Sequence, residues 1–254
     1  MIKPVRRLSA WQRHEQRRNR HFLTVRRAVQ RALNRQFAPV LAALRLGLMP
    51  TDSLVLEDEV RAIYRGIYIL VGRDFAEFTY QQLVLIKAPD PERQTFFVRA
   101  MERFALTETA ARIAGITETS KAFVRTVLAK ATAEGWGIEK IGRAMRQGWN
   151  VLTRRRAVVI ARTELTSAAA QGALAGARYA RRTFDLKLEK GWLPRIDGRE
   201  RESHRNAKGQ WVGQEDSFTV GGYQMNAPGD TSQGAPVGEV VNCRCSVIFR
   251  RARS

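Results

Sequence analysis

The chain has 254 residues, enough for one large domain or two modest ones with a real core, and 44% of them are hydrophobic, as in an ordinary globular protein. Its charge is not ordinary: 44 Lys+Arg against 24 Asp+Glu leave +20, and 36 of the basic residues are arginine. Two cysteines one residue apart exclude a disulfide-stapled secreted framework, and no apolar run suits a signal peptide or a bilayer span, so a soluble intracellular protein without a membrane partner is expected.

Arginine presents a planar fork that fits phosphate and carboxylate, so this bias points to nucleic acid or an acidic protein surface as partner. The first 35 residues hold eleven basic residues and one acid, Glu15, which is half of the net charge. Before Phe22 there is almost nothing to build a core from, so this basic arm is expected to stay mobile until a partner orders it. Arg6, Arg7, Arg13, Arg17, Arg18, Arg20, Arg26 and Arg27 are its candidate contacts to DNA or to an acidic partner.

From Phe22 the apolar residues Val25, Val29, Leu33, Phe37, Leu41, Leu44 and Leu48 follow in steps of three or four. That is helical spacing, with a kink or break expected at Pro39. Met49-Pro50-Thr51-Asp52-Ser53 reads as a stop followed by a new start. The next helix carries a broad apolar stripe from Val60 to Phe78, and Pro89-Asp90-Pro91 opens another through Phe96, Phe97, Met101 and Phe104. A further helix runs through Phe123, Val124, Val127 and Leu128. The aromatics here sit at core spacing, and nothing over 50–135 suggests chemistry.

Gly135-Trp136-Gly137 reads as a joint, then a short helix Ile138 to Gln147, a second joint at Gly148, and a long helix from about Leu152 to Arg181. Its second half is built of Ala and Gly, which lets another backbone approach closely. Arg162 and Glu164, two apart, do not face each other on a helix and must find other partners. Phe184, Leu186 and Leu188 then alternate with charged residues as in a half-buried strand. A polar loop follows with Asp197 and His204, then a turn and strand near Trp211, a Gly- and Pro-rich stretch over 221–238, and a last strand from Val240 to Phe249. On that strand Cys243 and Cys245 would point to one face and Arg244 away. This is either a metal-clamped β-fold or two small buried residues that share a face.

Taken in order, Ile160-Ala161-Arg162-Thr163-Glu164, Trp192, Asp197-x-Arg199, His204, Gly209, Pro228 and Asn242-Cys243-Arg244-Cys245 resemble the MuF-type phage head morphogenesis proteins, relatives of the minor head protein F of phage Mu. The resemblance covers roughly 137–249. It implies a non-enzymatic minor head protein, assembled with the portal protein and the major capsid protein inside the virion head and acting in head assembly, DNA packaging or DNA ejection, with the host cytoplasm as its place of assembly. Double-stranded DNA is the expected polyanion. Many relatives carry Cys-x-x-Cys after the aspartate, and those positions fall here on Arg201 and His204. Arginine cannot ligate a metal, so a zinc ion would find three donors, His204, Cys243 and Cys245, where a structural site normally has four, unless Asp197 or water completes it. No cofactor is therefore expected, with that triplet the one place for a structural zinc. Asp197, His204, Cys243 and Cys245 read instead as a clasp that ties the polar loop to the last strand.

The expected fold class is α+β, a mostly helical N-terminal body with a small, loop-rich mixed α/β C-terminal module. Its regions are a basic arm over 1–35, a helical body over 36–135, and the MuF-like module over 136–254, a long helix and then short antiparallel strands. Two other function classes share some of these features. A metal-dependent nuclease acting on phage DNA would use His204 near the cysteines, but one histidine without an acidic cluster is thin support. A cellular DNA-coating protein would share the charge without needing the loop-rich module.

Overall fold

The computed structural model describes residues 8–86 and 88–252. Helices dominate: α1 (Ala10–Arg45), α2 (Asp58–Ile67), a π-helical turn (Tyr68–Gly72), α3 (Arg73–Val84), α4 (Pro91–Thr107), α5 (Ala110–Ala133) and α6 (Ile138–Phe184). The remainder holds β1 (Leu188–Leu193), α7 (Glu202–Asn206), β2 (Trp211–Gly213), β3 (Phe218–Val220), β4 (Tyr223–Met225), α8 (Val237–Val240) and β5 (Ser246–Arg251). This is the expected α+β chain, with a large helical body and a small C-terminal sheet region. No described helix is long and apolar enough to cross a membrane.

Two compact units emerge from the contacts, and both long helices, α1 and α6, contribute to each. One unit comprises Met1–Leu23, Ile67–Arg103 and Arg162–Ser254; the other comprises Thr24–Gly66 and Phe104–Ala161.

In the second unit, the periodic residues Val25, Val29, Leu33, Phe37 and Val40 of α1 are buried with Tyr64, Ile113, Val124, Ile141, Met145 and Trp149. Phe37 stacks on Trp149 with ring centroids 3.9 Å apart. The helix does not break at Pro39. Proline forfeits one backbone hydrogen bond, and the buried Phe37, Val40 and Leu44 around it hold the helix together regardless. Gly148 likewise is not a joint, since α6 runs through it unbroken. A Cβ there would lie 2.9 Å from the Phe123 ring, so the glycine is a notch for that ring. A buried polar chain crosses the same core: Gln36 donates to Thr117 Oγ1 (3.0 Å) and accepts from Ser120 (2.9 Å), which in turn accepts from Arg156 (2.9 Å).

In the first unit α1 begins at Ala10, well before the expected Phe22. Ser9 and Gln12 form a reciprocal capping box, with Gln12 N–H on Ser9 Oγ (3.2 Å) and Ser9 N–H on Gln12 Oε1 (2.8 Å). His14 and Arg18 are buried, so over 10–23 the segment expected to be mobile is a docked helix. Small residues let α6 touch the neighbouring helix backbone: a Cβ on Gly172 would sit 2.1 Å from Gly72 O, and one on Gly176 2.2 Å from Ala76 O.

The helix α6 ends at Phe184, where a strand was expected to begin. Asp185 takes a left-handed φ of 48° and Leu186 N–H returns to Arg181 O at 3.3 Å, a Schellman-type cap. β1 starts four residues after the helix ends and is the middle strand of an antiparallel sheet ordered β2-β1-β5. β3 and β4 form a separate hairpin. Trp192, Phe218, Val220, Met225, Val240, Cys243, Cys245 and Val247 pack with Ala170, Ala173 and Leu174 of α6 into one core. The expected last strand from Val240 is shorter than read: Val240 closes α8, Asn242 turns at φ 57°, and pairing starts only at Ser246.

Candidate functional site

Cys243 and Cys245 therefore lie not on a strand but in the turn between α8 and β5. The turn still aims both sulfurs at one ring. Cys243 Sγ is 3.6 Å and Cys245 Sγ 3.3 Å from Nδ1 of His204, which α7 carries into the core. Nε2 of the same ring lies 3.0 Å from Glu239 Oε2, which also accepts from Ser203 Oγ at 2.9 Å. The Trp192 ring meets the imidazole edge-on at 5.5 Å. All three members of the triplet are about 2% exposed.

The turn is held by its backbone. Arg201 donates to Val241 O (2.6 Å), Thr166 Oγ1 to Cys243 O (2.6 Å), and Arg18 to both Arg244 O (3.0 Å) and Cys245 O (2.8 Å). Asn242 N–H donates to Thr163 Oγ1 at 3.1 Å. Four of the five carbonyls over 241–245 thus accept a side-chain donor, from α1, α6 or the polar loop. Backbone groups away from water need such partners, and here side chains supply what a strand ladder would.

Asp197 is the second half of the clasp. It accepts both arms of Arg244 (2.6 and 2.9 Å) and lies 2.7 Å from Arg195 Nε. The hydrogen bond from Arg244 above all, with backbone and charge contributions from Arg199 and Arg195, holds its carboxyl at about 2. Burial opposes a charge on His204, but hydrogen bonding to Cys243 and the nearby negative groups raise its pKa. Cys243 is pushed well down by its bonds to Cys245 and His204, against burial. Cys245 goes the other way, raised by its bond to Cys243 and by burial.

The donor set was tested against zinc on its geometry. Sulfur–nitrogen separations of 3.3 and 3.6 Å suit two edges of a tetrahedron, given zinc bonds of about 2.3 Å to sulfur and 2.0 Å to nitrogen. The fourth corner is missing. Arg201 at the position where a further ligand would be expected spends its guanidinium on Val241 O, and Asp197 is taken by arginines. The residues present do not complete a closed structural site. Nδ1 of His204 faces the two sulfurs and Nε2 faces Glu239.

The candidate arginines fare differently from one another. Arg6 and Arg7 lie outside the described residues. Arg13, Arg20 and Arg27 are exposed and Arg26 is half-buried. Arg17 pairs with Asp74, which also lies 2.9 Å from His21 Nε2. Arg18 is 6% exposed and serves the clasp. Arg18, Thr163, Thr166, Arg201 and Glu239 were not legible as clasp residues, because each acts on backbone or ring atoms distant in sequence. Glu164, left without a partner by its spacing, is buried and accepts from Tyr68 Oη of the π-helical turn at 2.8 Å. Arg162 lies over the Phe22 ring, 5.8 Å from its centre.

With this geometry in place, the family described as Phage Mu protein F like protein matches the chain over residues 122–248. The match takes in α6 and Asp197, His204, Cys243 and Cys245. No curated protein and no solved structure matches the chain.

Proposed function

The chain belongs to the Phage Mu protein F like family, a phage head morphogenesis family that is structural rather than enzymatic, and from that premise we propose that it is a minor head protein. In this reading it sits in the virion head against the portal protein and the interior of the major capsid protein, after assembling in the host cytoplasm. It contributes to head assembly and to DNA packaging or ejection. The single observation that carries the reading is the family match, which spans half of the chain and includes Asp197, His204, Cys243 and Cys245.

The clasp then has a structural task, to hold the turn over 241–245 to α1, α6 and the polar loop. Double-stranded DNA is the proposed ligand of the arginines that α1 leaves exposed, Arg13, Arg20 and Arg27. Neutralising phosphates releases counterions, so retention of DNA on filters should fall steeply with salt. Absence of retention at low salt would redirect that face to an acidic protein surface. The head assignment itself is tested by tagging the protein in an infected culture and fractionating the lysate. It is expected in filled heads; recovery with bulk nucleoid DNA and absence from heads would overturn it.

A further inference from the structure

A cleft of about 380 Å³ opens beside the clasp, lined by Arg18, Arg162, Arg195, Arg244, Phe22 and Asn242 among others. We infer that this cleft binds a phosphate group, either in the backbone of a nucleic acid or free in solution. Arg199 also faces it, which makes five guanidinium groups. Among the described residues, two carboxylates answer them. Glu15 accepts from Arg18 (3.1 Å) and Arg195 (2.8 Å), and Asp197 takes Arg244 and the Nε side of Arg195. Arg162 is exposed and pairs with no carboxylate among the described residues; its guanidinium is held over the Phe22 ring instead. The cleft therefore carries a surplus of positive charge, with Arg18, Arg195 and Arg244 fixed by their ion pairs and Arg162 by the Phe22 ring. Such preorganised forks are what a multiply charged oxyanion requires.

The volume, at the low end for small-ligand sites, admits a nucleotide-sized group. A single carboxylate would leave most of the surplus charge unanswered, whereas inorganic phosphate brings up to two negative charges and a nucleic-acid backbone one at each successive phosphate. Asn242 and Phe22 also line the cleft. Phosphate capture here does not use the exposed face of α1 on which the head-protein reading places DNA, so the two can fail separately.

The test uses the full chain and three probes: a fluorescein-labelled 20-base single strand, the matching duplex, and inorganic phosphate as direct ligand and as competitor. Arg162→Ala and Arg162→Glu are compared with an Arg20→Ala/Arg27→Ala double variant, and circular dichroism confirms that each is folded. Arg162→Glu should weaken the bound probe by roughly tenfold or more, the worth of one hydrogen bond to a charged group. Arg162→Ala should lower the salt slope for a nucleic-acid probe by about one. Loss of oligonucleotide binding in the Arg162 variants assigns the phosphate to nucleic acid. Binding of inorganic phosphate alone, lost in the same variants, assigns it to a free ligand. If neither probe responds to Arg162→Glu, the inference fails, even where DNA binding depends on Arg20 and Arg27 and the α1 reading survives. It fails equally if a glutamate-rich peptide binds through Arg162 while phosphate and both oligonucleotides do not.

Discussion

Arg18 joins α1 to the clasp through the carbonyls of Arg244 and Cys245 and through Glu15. Removing it strands the buried carbonyl of Cys245 and the half-buried one of Arg244 and leaves Glu15 with Arg195 alone, so Arg18→Ala should cost about 3 kcal/mol in urea unfolding. Arg20→Ala, two residues on and exposed, should stay within about 0.5 kcal/mol. Equal effects from the two would remove Arg18 from the clasp. The cysteines give a second prediction at this scale. Three donors and an arginine in place of the fourth should leave purified protein without stoichiometric zinc by mass spectrometry, and a chelator should not move its thermal midpoint. One zinc per chain, with a midpoint that falls in chelator, would show that water or another group completes the tetrahedron. From the sequence, Asp197, His204, Cys243 and Cys245 could be singled out as one clasp, because a family pattern marks them. What they touch could not be read. The bidentate pair that Arg244 makes with Asp197 is one such contact; the backbone there is also less extended than expected, because Asn242 turns it at φ 57°.

Two helices carry the element-scale predictions. On α6, Gly172 leaves no room for a methyl group against Gly72, nor Gly176 against Ala76. Gly172→Ala gains helix propensity of about 1 kcal/mol but must push two backbones apart, and a net loss of ~2 kcal/mol or more is expected. A neutral or stabilising result would mean that the helices separate cheaply. On α1, His14 is packed against the rings of Phe75 and Phe78. Burial first, then the charges of Arg18, Arg13 and Arg17, lower its pKa to about 3 from 6.5. As pH falls below 6.5 the unfolded chain takes up the proton and the folded chain does not. Stability is therefore complete above that pH and drains toward pH 3, by up to several kcal/mol. His14→Leu should flatten this part of the acid profile relative to the unmodified protein in urea unfolding at pH 7 and pH 4. Parallel profiles would show that His14 titrates normally. Tight packing of the small-residue half of α6 was readable from composition, and the periodic stripe of α1 from Phe22 onward was equally plain. The start of α1 was not, because its cap is a Ser9–Gln12 pair in a run that hydrophobic periodicity passes over. Pro39 and Gly148 misled for the converse reason: burial around Pro39 and the Phe123 ring against Gly148 override local propensity, and neither shows in a single sequence.

At the scale of the whole chain, a net charge of +20 makes association with polyanions the expected behaviour at low salt. Charge alone cannot separate a head protein from any other basic protein; the family match over residues 122–248 does that. The measurement that tests the account most directly is cryo-electron microscopy of intact heads from the phage that encodes this chain, reconstructed at the portal vertex without imposed icosahedral symmetry. Density inside the head beside the portal, fitted by α6 with its clasp and absent from heads lacking the protein, is the predicted result. Heads complete and infectious without the protein, with no such density in the wild type, would contradict it.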